Sequence, residues 1–144
     1  MQTWSVRQVV IADVSALYAL DHVAAVVSDR RSFIDRAVHE ARSWVIETDG
    51  ALSGYGIISH EFFGRSFIEL IYIAERWRGH GLGPRLIQAL ELQSKSTSLF
   101  TSTNESNLHM QHVLEVLGYA RSGRIENLDP GDPELVYVKH GLRA

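Results

Sequence analysis

The sequence predicts an α+β fold, with a mixed, mostly antiparallel central sheet flanked by helices, in one domain over residues 1–144. The 144 residues, 45% of them hydrophobic, can bury one core but are too few for two ordinary domains. Runs of β-branched and aromatic residues, which favour strands, alternate with segments in which apolar residues recur at the spacing of a helix. Asp49 and Gly50 lie between two strand-like runs and form a strong hairpin signal.

The first half of the chain predicts three strands and two helices. Asp13 and Ser32 are of residue types that begin helices, and apolar side chains follow each of them at helical spacing. The predicted elements are a strand over 4–11, helices over 14–27 and 33–41, and strands over 44–48 and 52–59. Gly64 marks the turn into the next strand.

The second half predicts four further strands and two helices. The apolar run over residues 67–74 is typical of a strand covered on both faces, so we place it at the centre of the sheet. A glycine-rich turn follows, and then a helix with Pro84 in its first turn. The remaining elements are a strand over 98–102, a helix over 105–117 that ends at Gly118, and strands over 119–127 and 135–139.

The composition excludes several classes of function. Because the chain has no cysteine, disulfides, Cys-based zinc sites and a thiol nucleophile on the protein are excluded. A net charge of -3 gives no general attraction to phosphate backbones, so we expect no nucleic-acid partner. No apolar stretch approaches the length of a membrane span and no signal peptide is evident, so we expect no membrane partner and a cytoplasmic location.

Residues 71–85 carry the strongest functional signal, because a predicted buried strand passes through a glycine-rich turn into a helix. Gly79, Gly81 and Gly83 allow a ligand to approach the backbone, and the helix N-terminus adds free N–H donors. Three arginines in the same segment favour a ligand with several phosphates, such as coenzyme A. The spacing fits neither a Walker loop nor a dinucleotide-binding turn. A turn that only joins strand to helix is the alternative.

At this point the sequence resembles the GNAT superfamily of N-acetyltransferases. Arg78-Gly-His-Gly-Leu-Gly83 matches the family's Arg/Gln-x-x-Gly-x-Gly/Ala motif, which can also be framed from Arg76 through Gly81. Ile71-x-Ile73 occupies the place of a Leu-x-Val whose backbone pairs with the pantetheine arm, and residues 107–119 follow a second family pattern. The resemblance covers nearly the whole chain. It implies the GNAT fold, in which the fourth and fifth strands splay apart and hold the cofactor between them.

The resemblance also implies the activity and the cofactor site. The expected reaction transfers an acetyl group from acetyl-CoA to a primary amine of a small molecule or peptide, by direct attack in a ternary complex. The residues expected to bind the cofactor are Ile71, Ile73, Arg78, Gly79, His80, Gly81, Leu82, Gly83, Pro84 and Asn107. The amide N–H of Ile73 is expected to donate to the thioester carbonyl. No metal is expected.

Glu69 is the candidate catalytic base. It is the single carboxylate in the apolar run 67–74, and strand alternation places it on the same face as Ile71 and Ile73. Some family members place a general base at this point, and burial would raise its pKa toward a useful range. The alternative is that Glu69 faces solvent or pairs with an arginine.

Two points are left open by the sequence. Leu114 occupies the position at which many members of the family have a tyrosine that protonates the thiolate, so water, His109, His112 or Tyr137 would have to supply the proton. Because this tyrosine is missing, a non-catalytic acyl-CoA-binding or regulatory module is the alternative function. An acetyltransferase toxin acting on charged transfer RNA is disfavoured by the net charge of -3. A homodimer is left open.

Overall fold

The computed structural model describes residues 2–143, and in that range seven strands and four α-helices follow the predicted order. The strands are β1 (Trp4–Gln8), β2 (Ser43–Thr48), β3 (Ala51–Phe62), β4 (Arg65–Ile73), β5 (Leu99–Asn104), β6 (Ala120–Ile125) and β7 (Glu134–Lys139). The helices are α1 (Val14–Leu20), α2 (Ser28–His39), α3 (Leu82–Glu91) and α4 (Leu108–Val116), with short 3-10 turns at Ile11–Asp13 and Glu75–Trp77.

The strands form one mixed sheet in the order β1-β2-β3-β4-β5-β7-β6. Pairing is antiparallel between β1 and β2, β2 and β3, β5 and β7, and β6 and β7, whereas β4 and β5 are parallel. The parallel register joins only Ser66–Ile68 to Leu99–Thr101, although β4 continues to Ile73 and β5 to Asn104. The mixed α/β fold class with a parallel β4–β5 pair is therefore confirmed.

The chain divides into two compact units, and the first contains the residues up to Ile58 together with Leu70–Leu90. Within it, each face of the strands is covered by helices. Tyr55 and Tyr72 belong to a core cluster with Leu17 of α1 and Ile34 of α2. On the other face, Ile46 packs with Leu82 and Leu86 of α3, and Ile71, Ile73 and Trp77 border this cluster. Burial of these apolar side chains holds β4 between two helical layers.

Glycines in β3 bring that strand close to the end of β4. A Cβ atom added at Gly54 would lie 2.6 Å from Cδ1 of Ile73 and 2.7 Å from the carbonyl oxygen of Tyr72. At Gly56 it would lie 2.8 Å from Cδ1 of Leu90. Any side chain at Gly54 would therefore displace the segment of β4 that precedes the glycine-rich turn.

The second compact unit contains Ser59–Glu69 and the residues from Glu91 onward. Its core includes Leu99 of β5, Leu135 and Tyr137 of β7, and Val113 and Leu114 of α4. Strand β6 pairs with β7 at the edge of the sheet, and its residues are all exposed. The prediction of one domain over residues 1–144 stays a prediction.

Several predicted boundaries are wrong for identifiable physical reasons. The first helix ends at Leu20 instead of reaching residue 27, because the buried Asp21 accepts the N–H groups of Val23 and Ala24 in a turn. The next helix consequently begins at Ser28. Helix α4 begins at Leu108 instead of residue 105, because the side chain of Asn107 caps it by accepting the N–H of Met110.

Candidate functional site

The glycine-rich turn joins the end of β4 to the start of α3. Gly79 and Gly81 have φ angles of +81° and +75°, in the left-handed region that favours glycine. Arg78, with a φ of -69°, and His80 have ordinary conformations beside them. Alternating left-handed and ordinary residues turn successive N–H groups toward one side and form a concavity that binds anions. The turn therefore has the backbone shape that a phosphate site requires.

Open space lies above this turn. A Cβ atom added at Gly79, Gly81 or Gly83 would meet no atom of the described chain within 4 Å. Leu82 and Gly83 begin α3, so their N–H groups have no partner within the helix, and Pro84 has no N–H to satisfy. The backbone donors and the free room together fit the diphosphate of coenzyme A.

Each of the three arginines of this segment lies against an aromatic ring. The guanidinium carbon of Arg78 is 5.4 Å from the centre of the Tyr72 ring, and that of Arg76 is 5.6 Å from Trp77. The guanidinium carbon of Arg85 is 5.0 Å from the ring of Trp4 in β1. Cation–π contacts of this kind restrain the cations near the turn. The sequence predicted three arginines close to the phosphate site but gave no sign of these contacts.

His80 uses its imidazole within the turn. Its Nδ1 atom lies 3.0 Å from the carbonyl oxygen of Trp77 and 3.1 Å from that of Arg78. Because carbonyl oxygens only accept, Nδ1 carries the hydrogen and donates it. The ring of His80 therefore stabilises the turn, and a contribution to ligand binding would come from its backbone N–H.

At the end of β4, the backbone groups of Ile73 point away from β3. The N–H of Ala74 donates to the carbonyl of Ser53 in β3 over 2.8 Å. Since successive residues of a strand direct their backbone groups to opposite sides, the N–H and C=O of Ile73 point away from β3. The Ile73 carbonyl accepts a hydrogen bond from Nε of Arg78 over 2.9 Å. The orientation of the Ile73 N–H is the one its predicted role requires, although the role itself stays a prediction.

The side chain of Glu69 is exposed, so the burial expected for it is wrong. Ile71 and Ile73 pack against the cluster that contains Leu82 and Leu86 of α3. Glu69 precedes these two residues on the same face of β4. The exposure of Glu69 agrees with the alternative that it faces solvent or pairs with an arginine. Its assignment as the catalytic base stays a prediction that no longer has burial as a reason.

Asn107, in the second unit, has a structural use in addition to its predicted one. Its Oδ1 atom accepts the N–H of Met110 over 3.1 Å and caps α4. Its Nδ2 group, which takes no part in this cap, can serve the predicted contact with the cofactor as a donor. Asn107 is exposed, so this group is accessible.

The candidates for protonating the thiolate differ in accessibility. Leu114 is 2% exposed, in agreement with an apolar side chain at the family's tyrosine position. Tyr137 is fully buried, and that burial raises its pKa, while the nearby Arg121 opposes the shift. A raised pKa makes Tyr137 a weaker proton donor. His109 and His112 are exposed on α4.

A polar cluster beside β4 was missed by the sequence analysis. The hydroxyl of Tyr72 bonds to Nδ1 of His22 and accepts the backbone N–H of His22 over 3.2 Å. The adjacent Asp21 is fully buried and forms an ion pair with Arg30 at 2.9 Å. The sequence did contain a signal for this cluster, because Asp21 lies among the apolar residues of the predicted first helix. A carboxylate is costly to bury there unless it is paired.

Within residues 2–143 the structure contains neither a cluster suited to a metal ion nor a helix suited to a membrane span. No three His, Asp or Glu side chains in that range come close enough together to hold a metal ion. No helix in that range has the length and the apolar character needed to cross a membrane.

Comparison with known proteins identifies the family. The sequence model of the Acetyltransferase (GNAT) family matches residues 12–119, which is well over half of the chain. No curated protein matches the chain in sequence.

Solved structures of acetyltransferases have the same fold. An acetyltransferase of the GNAT family from Bacillus cereus ATCC 10987 is 32% identical, with a TM-score of 0.91 over 98% of this chain and 99% of that one. The ribosomal-protein-S18-alanine N-acetyltransferase from Escherichia coli is 15% identical, with a TM-score of 0.83 over 99% and 96%. A Bacillus anthracis str. Ames protein in complex with acetyl coenzyme A is 16% identical, with a TM-score of 0.65 over 74% and 66%. The chain therefore belongs to the acetyltransferase (GNAT) family of enzymes.

Proposed function

We propose that this enzyme transfers an acetyl group from acetyl-CoA to a primary amine of a small molecule or peptide, in the cytoplasm. One observation carries the proposal. The turn between β4 and α3 combines two left-handed glycines with open space above them. An open left-handed glycine also occurs in the β2–β3 hairpin at Gly50, so this turn is distinguished by two such glycines directly before the first N–H groups of α3, which give a phosphate donors and room at the same point.

The residues of the turn have separate roles in this proposal. The N–H groups of residues 79–83 bind the diphosphate, and Arg78 contributes positive charge beside them. The backbone of Ile71 and Ile73 orients the pantetheine arm, with the Ile73 N–H donating to the acyl carbonyl as negative charge develops there. Acetyl-CoA supplies an activated acyl group and a stable thiol leaving group.

We propose direct attack by the amine because the chain has no cysteine to form an acyl-enzyme through sulfur. Two tasks then remain for the protein, which are to accept a proton from the ammonium group of the acceptor and to allow the thiolate to be protonated. Glu69 is the candidate for the first task on the basis of the family resemblance. Water can perform the second, since Leu114 has no exchangeable proton.

A product assay tests the proposal. Purified protein is incubated with labelled acetyl-CoA and one of two amines, and products are identified by mass spectrometry. One amine is a peptide that begins with alanine, the acceptor class named for the E. coli neighbour. The other is streptothricin, named for the B. anthracis neighbour. Acetylated amine with either probe supports the proposal. Tight binding of acetyl-CoA without any acetylated product, extended to a wider pool of amines, favours the non-catalytic module instead.

A further inference from the structure

The tyrosine and histidine beside the end of β4 form a pair whose use is not explained by packing. Tyr72 is 8% exposed and lies between Ile71 and Ile73, the two residues whose backbone is assigned to the cofactor. Its hydroxyl contacts both the backbone N–H and the Nδ1 atom of His22. The imidazole itself belongs to an exposed residue, so it is accessible to a substrate.

A buried ionic network fixes the backbone that carries His22. The Oδ1 atom of Asp21 accepts the N–H groups of Val23 and Ala24 over 2.9 and 3.2 Å. Its Oδ2 atom accepts from Arg30 over 2.9 Å and from the hydroxyl of Tyr55. Burying a charged carboxylate is costly, and four hydrogen bonds offset that cost only while the turn keeps this shape. The network therefore holds His22 against Tyr72.

The tautomer of His22 determines which nitrogen of its ring is available as a base. The backbone N–H of His22 can only donate, so the hydroxyl oxygen of Tyr72 faces this residue with a lone pair. If Nδ1 also donates to that oxygen, the lone pair of the imidazole lies on Nε2, at the end of the ring turned away from Tyr72. A hydroxyl, unlike a carboxylate or a carbonyl, can also donate to Nδ1, so the tautomer of His22 is the part of the inference that the first test measures.

We propose that His22, oriented by Tyr72 and by the Asp21 network, and not Glu69, is the group that deprotonates the acceptor amine; the inference rests on the proposed acetyl transfer. In this step Nε2 of His22 takes one proton from the ammonium group and leaves a neutral amine. The amine nitrogen forms a bond to the acyl carbon, the carbon–sulfur bond breaks, and the second nitrogen proton goes to the thiolate. The products are the amide and free thiol, and His22 releases its proton to water.

Charged and titratable groups around His22 belong to α2, β3, β4 and the two turns that carry Asp21 and Arg78. Asp21 precedes it in the same turn, and Arg30 of α2 neutralises that carboxylate. Tyr72 of β4 contacts the imidazole directly, and the guanidinium carbon of Arg78 lies 5.4 Å from the centre of the Tyr72 ring. Burial raises the pKa of Tyr55 far above its usual value, so Tyr55 remains a donor to Asp21 at every working pH. None of these groups competes with Nε2 for the proton of the amine.

The first test is independent of the acceptor. Long-range nitrogen–proton NMR spectra of protein with labelled histidine distinguish the two neutral tautomers, and His22→Gln assigns the signals. Above the titration of the ring, the proposal requires a protonated Nδ1 and an unprotonated Nε2 at His22. In Tyr72→Phe the preference for this tautomer should be lost, because the acceptor oxygen is removed. A protonated Nε2 at His22 in the wild-type protein overturns the proposal.

The second test is kinetic and uses the faster of the two probe amines. His22→Gln should lower kcat/KM by about 10²- to 10⁴-fold, the usual contribution of a general base, with acetyl-CoA affinity unchanged within about twofold. Added imidazole should partly restore the activity of His22→Ala, and His39→Gln, at an exposed histidine of α2, should retain wild-type activity. Unchanged kcat/KM in a folded His22→Gln overturns the inference. Failure of the wild-type protein to bind acetyl-CoA overturns the proposed function instead. The NMR test then still determines which tautomer of His22 is present.

Discussion

Replacement of Gly81 by valine should separate ligand binding from folding, because the chain contains a matched control. Gly81 has a φ of +75°, and a Cβ atom there would meet nothing within 4 Å. Gly50, in the hairpin between β2 and β3, has a φ of +83° and equally open surroundings. The two valine substitutions therefore impose similar backbone strain, but only one of them fills the space assigned to a phosphate.

The magnitudes follow from the geometry. A side chain in the left-handed region costs roughly 1–2 kcal/mol, so both variants should unfold about 3–8 °C below the wild-type protein. A valine at Gly81 should also prevent the diphosphate from reaching about two backbone donors, each worth about 1.5–3 kcal/mol with a charged partner. Affinity for acetyl-CoA should consequently fall by about 10²- to 10⁴-fold in Gly81→Val and by less than about twofold in Gly50→Val.

Thermal denaturation and titration calorimetry of the three proteins measure both quantities. Circular dichroism below the melting temperature establishes that each variant is folded. If Gly81→Val is folded and binds acetyl-CoA within about threefold of wild type, the phosphate does not lie over this turn and the assignment of residues 79–83 is wrong. If Gly50→Val loses affinity to the same extent, the loss reflects general destabilisation and not the site.

Three other predictions follow from the structure. Because the base is assigned to His22, Glu69→Gln should keep kcat within about threefold of wild type at unchanged acetyl-CoA affinity, and steady-state kinetics in which turnover falls by about 10²- to 10⁴-fold would assign the base to Glu69 instead. Burial raises the pKa of Tyr55 and Tyr119, so the folded state keeps protons that the unfolded state releases above pH ~10. Stability should be complete below that pH and should fall above it by up to about 1.4 kcal/mol per pH unit for each tyrosine, and urea denaturation that shows no such fall would contradict the assignment. Gly54→Ala should destabilise the protein by about 1–3 kcal/mol because its Cβ would meet the Tyr72 carbonyl oxygen at 2.7 Å, whereas Gly123→Ala, with nothing within 4 Å, should stay within about 0.5 kcal/mol in the same denaturation assay.

The features that were predictable from sequence are those that depend on local pattern. The apolar run of β4, the glycines of the turn and Pro84 near the start of α3 specify a strand, a turn and a helix within a short stretch of chain. Gly79 and Gly81 have the left-handed conformations for which glycine is the suitable residue. Local pattern was sufficient to place this candidate site.

The features that were not predictable depend on contacts distant in sequence. Asp21 ends α1 because Tyr55, 34 residues away, and Arg30 satisfy its buried carboxylate. Alternation along β4 gave the face on which Glu69 lies, but alternation alone does not determine whether a residue on that face is buried or exposed. The pairing of His22 with Tyr72, 50 residues away, likewise has no local signature.

Titration calorimetry of the wild-type protein with acetyl-CoA tests the central claim most directly. The account predicts a single site with a dissociation constant in the micromolar range and a rise in melting temperature with ligand concentration, whereas NAD and ATP at equal concentration should have little effect. The absence of both heat and thermal stabilisation with acetyl-CoA, in a protein shown to be folded, would contradict the assignment of the turn between β4 and α3 as its binding site.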